Sequence, residues 1–140
     1  MVTTQLPKYQ FKLINYQKAH ILLGERIKIL KADPDNELIQ AAIIQTFEFT
    51  FELAWKLIKS YMSFKGIETE AFPRDVIKTA FQNGLISDGK VWLEALEARN
   101  KTSHTYNGNF ARQLTTNIIQ LYYPAFEEVY KLIKTDYDQE

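Results

Sequence analysis

The reading of the fold turns on IQAAIIQTFEFTFELAWKLIKSYMSF, residues 39–64. At three- and four-residue steps this stretch carries two apolar lines: Ile39, Ile43, Thr46, Thr50, Leu53, Leu57 and Phe64 on one, Ile44, Phe47, Phe51, Ala54 and Ile58 on the other. Only a narrow polar strip is left, with Glu48, Glu52 and Lys56 one helical turn apart and Glu52 able to pair with Lys56. A helix apolar over so much of its circumference has to be covered on more than one side. In a chain of 140 residues one of those sides is expected to face a partner chain; the bland alternative is a helix central in a monomeric bundle.

Outward from this helix, the turn-forming residues fall where helices would begin and end. Asp33-Pro34 offers an N-cap with proline at the first helical position, and Gly66 a stop, so the second helix is expected to run from there to Lys65. The helix before it is expected from Pro7 to Lys31, with Leu13, Tyr16, His20, Leu23, Ile27 and Leu30 forming one buried seam. Pro73 opens a short third helix that ends at Asn83-Gly84. Ser87 is read as the cap of a fourth, DGKVWLEALEARNKTSHTY, whose apolar face is Val91, Trp92, Ala95, Leu96 and Ala98. The fifth starts around Asn109 and carries Leu114, Ile118, Leu121, Ala125, Val129 and Leu132, with a kink expected at Pro124. The sum is an all-α, antiparallel up-and-down four-helix bundle with one extra short helix, dimerising, in a single domain over residues 1–140.

Composition narrows the function. Lys+Arg and Asp+Glu are both 17, so the net charge is zero and no broad basic surface for nucleic acid or anionic membrane is available; a small cationic cleft is not excluded. There is no cysteine, which removes disulfides, thiolate catalysis and cysteine-ligated metals. The two histidines, His20 and His104, are far apart in sequence, and no metal site is read. The start MVTTQLPKYQFK lacks the pattern of a signal peptide, and no apolar run is long enough to span a bilayer, so a cytoplasmic protein is expected. Aromatic residues make up 14%, an excess that suggests two buried surfaces, a bundle core and a dimer seam.

Chemistry concentrates at the end of the fourth helix, in Arg99-Asn100-Lys101-Thr102-Ser103-His104-Thr105-Tyr106. Helix propensity does not favour such a run, so either function or a helix end explains it. In the second case Arg99 and Lys101 complement the helix dipole and His104 is solvated. In the first, Asn100 and His104 share one helix face, while Arg99 lies on a neighbouring face with Thr102 and Ser103. Arg99 and His104 then converge only if two copies meet across a two-fold axis. His104 can take or give a proton near neutrality, Arg99 can brace a phosphate, and Asn100 can orient either one. Such a set suits metal-free cleavage of RNA by the adjacent 2′-hydroxyl, and equally suits holding a nucleotide phosphate without cutting it. DNA lacks that hydroxyl and is not expected as a substrate.

The pattern Arg99-Asn100-x-x-x-His104-x-Tyr106 in a helical bundle of this size resembles the R-x4-H-x-Y signature of the HEPN superfamily. The whole chain is similar to the nucleotidyltransferase substrate-binding protein family, through FEFTFELAWKLIKSYM, FPRDVIKTAFQNGLI, Trp92 and RNKTSHTYN. The resemblance implies a dimerising bundle whose gene-neighbour partner is a minimal nucleotidyltransferase. It implies either a substrate-binding subunit of that enzyme or a ribonuclease toxin that the partner silences by adenylylating the motif tyrosine. Carried over by position, Arg99 and His104 are the catalytic pair, Asn100 supports them and Tyr106 is the acceptor hydroxyl; Lys101 and Ser103, from the same polar run, are expected to contact substrate. RNA or a nucleotide would occupy the dimer cleft, with no cofactor, no metal and no membrane. After the motif, Asn107-Gly108-Asn109-Phe110 stands where a more acidic segment is expected, and Gly108 is expected to loosen the turn.

Other candidates have plainer readings. His20, among Leu and Ile, is expected to be a hydrogen-bonded core or interface histidine. The cluster Phe47, Phe49, Phe51, Trp55, Tyr61 and Phe64 could stack bases but at helical spacing reads as core or dimer seam. Lys101, Arg112 and Arg74 are exposed candidates for a groove, and Tyr122 and Tyr123 are expected to pack beside Pro124.

Overall fold

The structure, a computed structural model, describes residues 9–102 and 107–139. Among these the chain is helical without a strand: α1 (Gln10–Ala32), α2 (Glu37–Phe64), α3 (Pro73–Gln82), α4 (Gly89–Lys101), α5 (Gly108–Asn117), a π-helical turn (Ile118–Tyr122) and α6 (Tyr123–Asp138). The expected start of the first helix at Pro7 lies outside the described residues. α1 and α2 form an antiparallel hairpin, since Tyr9 at the start of one meets Tyr61 near the end of the other, while Arg26 reaches the Ala42 carbonyl and the Thr46 hydroxyl. α6 runs antiparallel to α1, pairing Tyr9 with Tyr137 and His20 with Tyr123.

Each boundary has a local cause. Asp33 does not cap the second helix: its N–H closes the end of α1 on the Ile29 and Leu30 carbonyls. Asn36 is the cap, its side-chain oxygen accepting from the Ile39 N–H at 3.1 Å, with Pro34 left in the turn between. Asp88, not Ser87, caps α4 by accepting from the Val91 N–H at 3.2 Å, which puts Trp92, Ala95 and Leu96 on the buried face. Gly84, at φ +76°, ends the α3 turn in the left-handed region that glycine tolerates. Asn107 caps α5 through a 2.9 Å bond from the Phe110 N–H, so Gly108 opens a helix and does not loosen a turn.

α2 is central, packed by α1, α3, α4 and α5. Ile43, Thr46, Thr50 and Leu57 from one line and Ile44, Phe47, Phe51, Ala54 and Ile58 from the other are all buried inside this one chain. Most of the two apolar lines is therefore covered by helices of the same chain, while Ile39 and Leu53 stay half-buried and Phe64 is 44% exposed. The buried threonines cost little, because each hydroxyl donates to the carbonyl one turn back, Thr46 to Ala42 and Thr50 to Thr46, both at 2.6 Å. Part of the aromatic excess serves the chain's own interior, while Phe11, Phe49, Phe64, Phe72 and Phe81 are exposed. Phe47, Phe51, Trp92, Tyr122 and Phe126 pack ring to ring, Trp92 and Phe126 at 5.3 Å between centroids. Tyr9, Tyr61, Phe64 and Tyr137 form a second group at one end. A stripe the periodicity reading passed over, Phe11, Ile14, Ile21 and Ile29, lies exposed on α1.

The last helix differs from its expected register. Pro124 has no N–H to give the Gln120 carbonyl, and its ring crowds that turn. The chain widens instead: the Tyr123 N–H bonds to the Ile118 carbonyl, five residues back, in the π turn. The wider turn advances the buried line, so that after Leu114 and Ile118 it continues through Tyr122, Phe126, Val129 and Ile133, while Leu121 is 40% exposed. Tyr122 packs on Phe47 at 5.5 Å and Tyr123 stacks on His20 at 4.6 Å, so both do pack beside the proline.

Candidate functional site

α4 carries the motif, and its register decides where Arg99 points. Arg99 is seven residues beyond Trp92, two turns along one helix face at ~100° per residue. Because Trp92 is driven into the core against Phe51, Arg99 also faces α2. There its Nη2 meets Glu52 Oε1 at 2.7 Å, with the two side chains 35% and 28% exposed. The other oxygen of Glu52 accepts from Trp55 Nε1 at 3.2 Å and lies 3.9 Å from Lys56 Nζ. A single half-buried carboxylate thus binds one arginine and has an indole and an ammonium at its back.

α4 ends sooner than the sequence reading placed it. Its last residue is Lys101, and the Thr102 hydroxyl donates to the Arg99 carbonyl at 2.6 Å, satisfying one of the acceptors a helix end leaves open. The shared face inferred for Asn100 and His104 assumed a helix continuing to Tyr106, and its second half lies outside the described residues. Asn100 and Lys101 are exposed. Ser103, His104 and Tyr106 lie outside the described residues.

Glu94, Glu97, Ala98 and Lys101 form one wall of a groove of about 300 Å³ between α4 and α5, with Phe110, Gln113, Asn117 and Tyr122 opposite. The Tyr122 hydroxyl at its floor is pushed above the ordinary tyrosine range by burial and then by the Glu94 carboxylate. His20 does not line this groove: it is buried in the α1/α6 seam, bonded through Nε2 to Glu127 and stacked on Tyr123 and Tyr130. It is a hydrogen-bonded core histidine, as its setting in the sequence suggested. Among the described residues no three His, Asp or Glu side chains come together in a way that could hold a metal ion.

Sequence reasoning missed Glu52 as a partner of Arg99, having read it as part of a solvent-facing strip. The signal was present in the seven-residue step from Trp92 to Arg99, which turns the arginine toward the same helix that Trp92 packs on.

These features define, among the described residues, a helical bundle without a strand that presents an arginine, a lysine and an asparagine at the end of a helix docked on the central one. The chain belongs to the family described as nucleotidyltransferase substrate binding protein like, whose model matches residues 11–135. It is 37% identical over 76 residues to the probable ribonuclease HepT of Haemophilus influenzae; the match takes in 51% of this chain and 52% of that protein, so the chain spans about half the length of that curated relative. The solved structure of HI0074 from Haemophilus influenzae, reported as the fold of a substrate binding domain of a nucleotidyltransferase, superposes with a TM-score of 0.78 at 24% identity, over 87% of this chain and 98% of that one. A crystal structure from Thermus thermophilus gives a TM-score of 0.70 at 31% identity, over 81% and 94% of the two chains.

Proposed function

We propose that this protein is the helical partner subunit of a minimal nucleotidyltransferase and that it cleaves RNA without a metal, through Arg99 and His104 brought together from two copies. The observation that carries the reading is the Arg99-Asn100-x-x-x-His104-x-Tyr106 motif lying within the matched family span, in a chain similar to a probable ribonuclease. His104 takes the proton of the attacking 2′-hydroxyl or returns one to the leaving oxygen, and Arg99 offsets charge on the phosphoryl oxygens. Asn100 orients the reacting groups, and Lys101 and Ser103 hold the neighbouring backbone. The partner transfers an adenylyl group from ATP to the Tyr106 hydroxyl with release of pyrophosphate, and the added phosphate repels RNA from the cleft.

Dimerisation along the outer face of α2 fits this reading, since Phe49, 39% exposed, lies one turn from Glu52 and the half-buried Leu53 is beside it. A single domain in the cytoplasm is the matching setting, and among the described residues no helix is long and apolar enough to cross a membrane.

The second reading is a subunit that holds a nucleotide for the transferase and cuts nothing, favoured by the reported role of the HI0074 fold as a substrate binding domain. RNA cleavage by the purified chain, lost in His104→Ala with the helical circular dichroism unchanged, supports the nuclease. Saturable ATP binding in calorimetry with no cleavage supports the second reading instead. Incubation with the partner and ATP should raise the mass of the Tyr106 peptide by one adenylyl group; an unchanged mass removes the silencing step.

A further inference from the structure

We infer that Glu52 of α2 is a positioning residue for Arg99, holding the guanidinium at Nη2 so that its other edge is offered to the scissile phosphate. The inference rests on the nuclease reading above for its consequence in catalysis, while the geometry stands on its own. Arg99 has five N–H donors in a rigid fork. Glu52 Oε1 forms an ion pair with one of its terminal nitrogens, Nη2, at 2.7 Å, and the Thr102 hydroxyl is engaged with the Arg99 main chain, so among the described residues the side chain is held at one nitrogen.

An exposed arginine at a frayed helix end would sample many rotamers, and few of them would meet a phosphate held a few ångströms away. The carboxylate that restrains it is itself restrained. Trp55 Nε1 donates to it from three residues along the same helix, and Trp55 is half-buried against the core. Glu52 and Arg99 are 47 positions apart in the sequence, so their contact also ties the end of the motif helix to the central helix. Ordinary surface ion pairs contribute little because both ends move in water. Here both partners are about two-thirds covered and one has an indole anchor.

A carboxylate next to an RNA phosphate would ordinarily repel it. Lys56 Nζ, 3.9 Å from the same oxygen that Trp55 binds, leaves the group of Arg99, Glu52 and Lys56 with one net positive charge. The carboxylate therefore costs the site little attraction while holding its main cation in one direction.

The test uses the full chain and a fluorescein-labelled single-stranded RNA of mixed sequence, with its all-deoxy counterpart as an uncleavable ligand. Glu52→Gln keeps an oxygen for the indole and removes the charge. It is expected to lower the rate at saturating RNA about 10-fold to 100-fold, in keeping with the effect of misplacing a reacting group. Its affinity for the deoxy strand should be unchanged or tighter, a split that general unfolding would not produce. Glu52→Asp should recover part of the rate. A rate at or above wild type in Glu52→Gln overturns the inference, an increase meaning that the carboxylate masks Arg99. Rate and affinity falling together also overturns it.

If the wild-type chain does not cut, or Arg99→Ala cuts as well as wild type, the nuclease reading is what has failed. The pairing is then judged by nitrogen-15 NMR of the Arg99 side chain. A rotationally restrained guanidinium signal in wild type, lost in Glu52→Gln, sustains the positioning; a freely rotating signal in wild type overturns it.

Discussion

The π turn before Pro124 predicts an unusual pattern of alanine substitutions along the last helix. A regular α-helix continuing from Leu114 and Ile118 would bury Leu121 and Leu132, whereas the widened turn buries Tyr122 and Ile133, at 3% and 1% exposure, and leaves Leu121 at 40%. Ile133→Ala, like Leu114→Ala, which is buried in either register, should lose ~2–5 kcal/mol from lost burial and the cavity left behind. Leu121→Ala should lose less than ~1 kcal/mol, as substitutions at largely solvated positions do. With a urea slope of ~2 kcal/mol/M, a loss of ~3 kcal/mol moves the unfolding midpoint down by ~1.5 M, while the Leu121 variant should move it by less than ~0.5 M. Urea unfolding followed by far-ultraviolet circular dichroism reads both, and equal slopes certify that midpoints can be compared. A midpoint loss for Leu121→Ala as large as that for Leu114→Ala, with Ile133→Ala close to wild type, would refute the register shift and with it the π turn.

Two other outcomes follow from contacts the sequence does not display. A Cβ on Gly24 would sit 2.5 Å from the Tyr123 hydroxyl and 3.2 Å from the ring carbon bearing it. Gly24→Ala should therefore destabilise by ~1–3 kcal/mol despite alanine's better helix propensity, and Tyr123→Phe in the same chain should restore a measurable part; no rescue in thermal unfolding would contradict the close approach. Asp136 accepts from Lys65 at 2.7 Å and from the Tyr61 hydroxyl at 2.6 Å, and these bonds, Lys65 first, hold its carboxyl below the usual value. Because the folded pKa is lowered, the stabilisation is present above the unfolded value and is lost as the pH falls through the folded one. The gap between wild type and Asp136→Asn, less than ~1 kcal/mol for so solvated a group, should be open at pH 7 and close in acid below the ordinary aspartate range; a gap that widens in acid reverses the sign.

Much of the helical layout is legible in the residues alone. The seam Leu13, Tyr16, His20, Leu23, Ile27 and Leu30 is buried throughout, and Pro73 and Asn83-Gly84 bracket α3 as their backbone chemistry requires. Caps are less legible, because Asp33 and Asn36, or Ser87 and Asp88, are chemically able to do the same thing within a few residues of each other. The π turn is hidden for a different reason: proline announces a disturbance in the helix, but not which way the following residues rotate. Nor does an apolar stripe say who covers it: helices of its own chain cover most of α2, while Phe49 and Phe64 stay exposed. At the candidate site, residue types and spacing single out Arg99, Asn100 and Lys101, while the contact that orients Arg99 comes from Glu52 on another helix and exists only once α4 has docked. Ser103, His104 and Tyr106 stay at the level of the motif, being outside the described residues.

The most direct measurement of the proposed chemistry is cleavage of a single-stranded RNA in the presence of excess chelator, with the product ends identified by mass spectrometry. Wild type should cut and leave 2′,3′-cyclic phosphate ends, and Arg99→Ala and His104→Ala should each abolish cutting while unfolding at the wild-type midpoint. Cleavage that persists at the wild-type rate in either variant would contradict it.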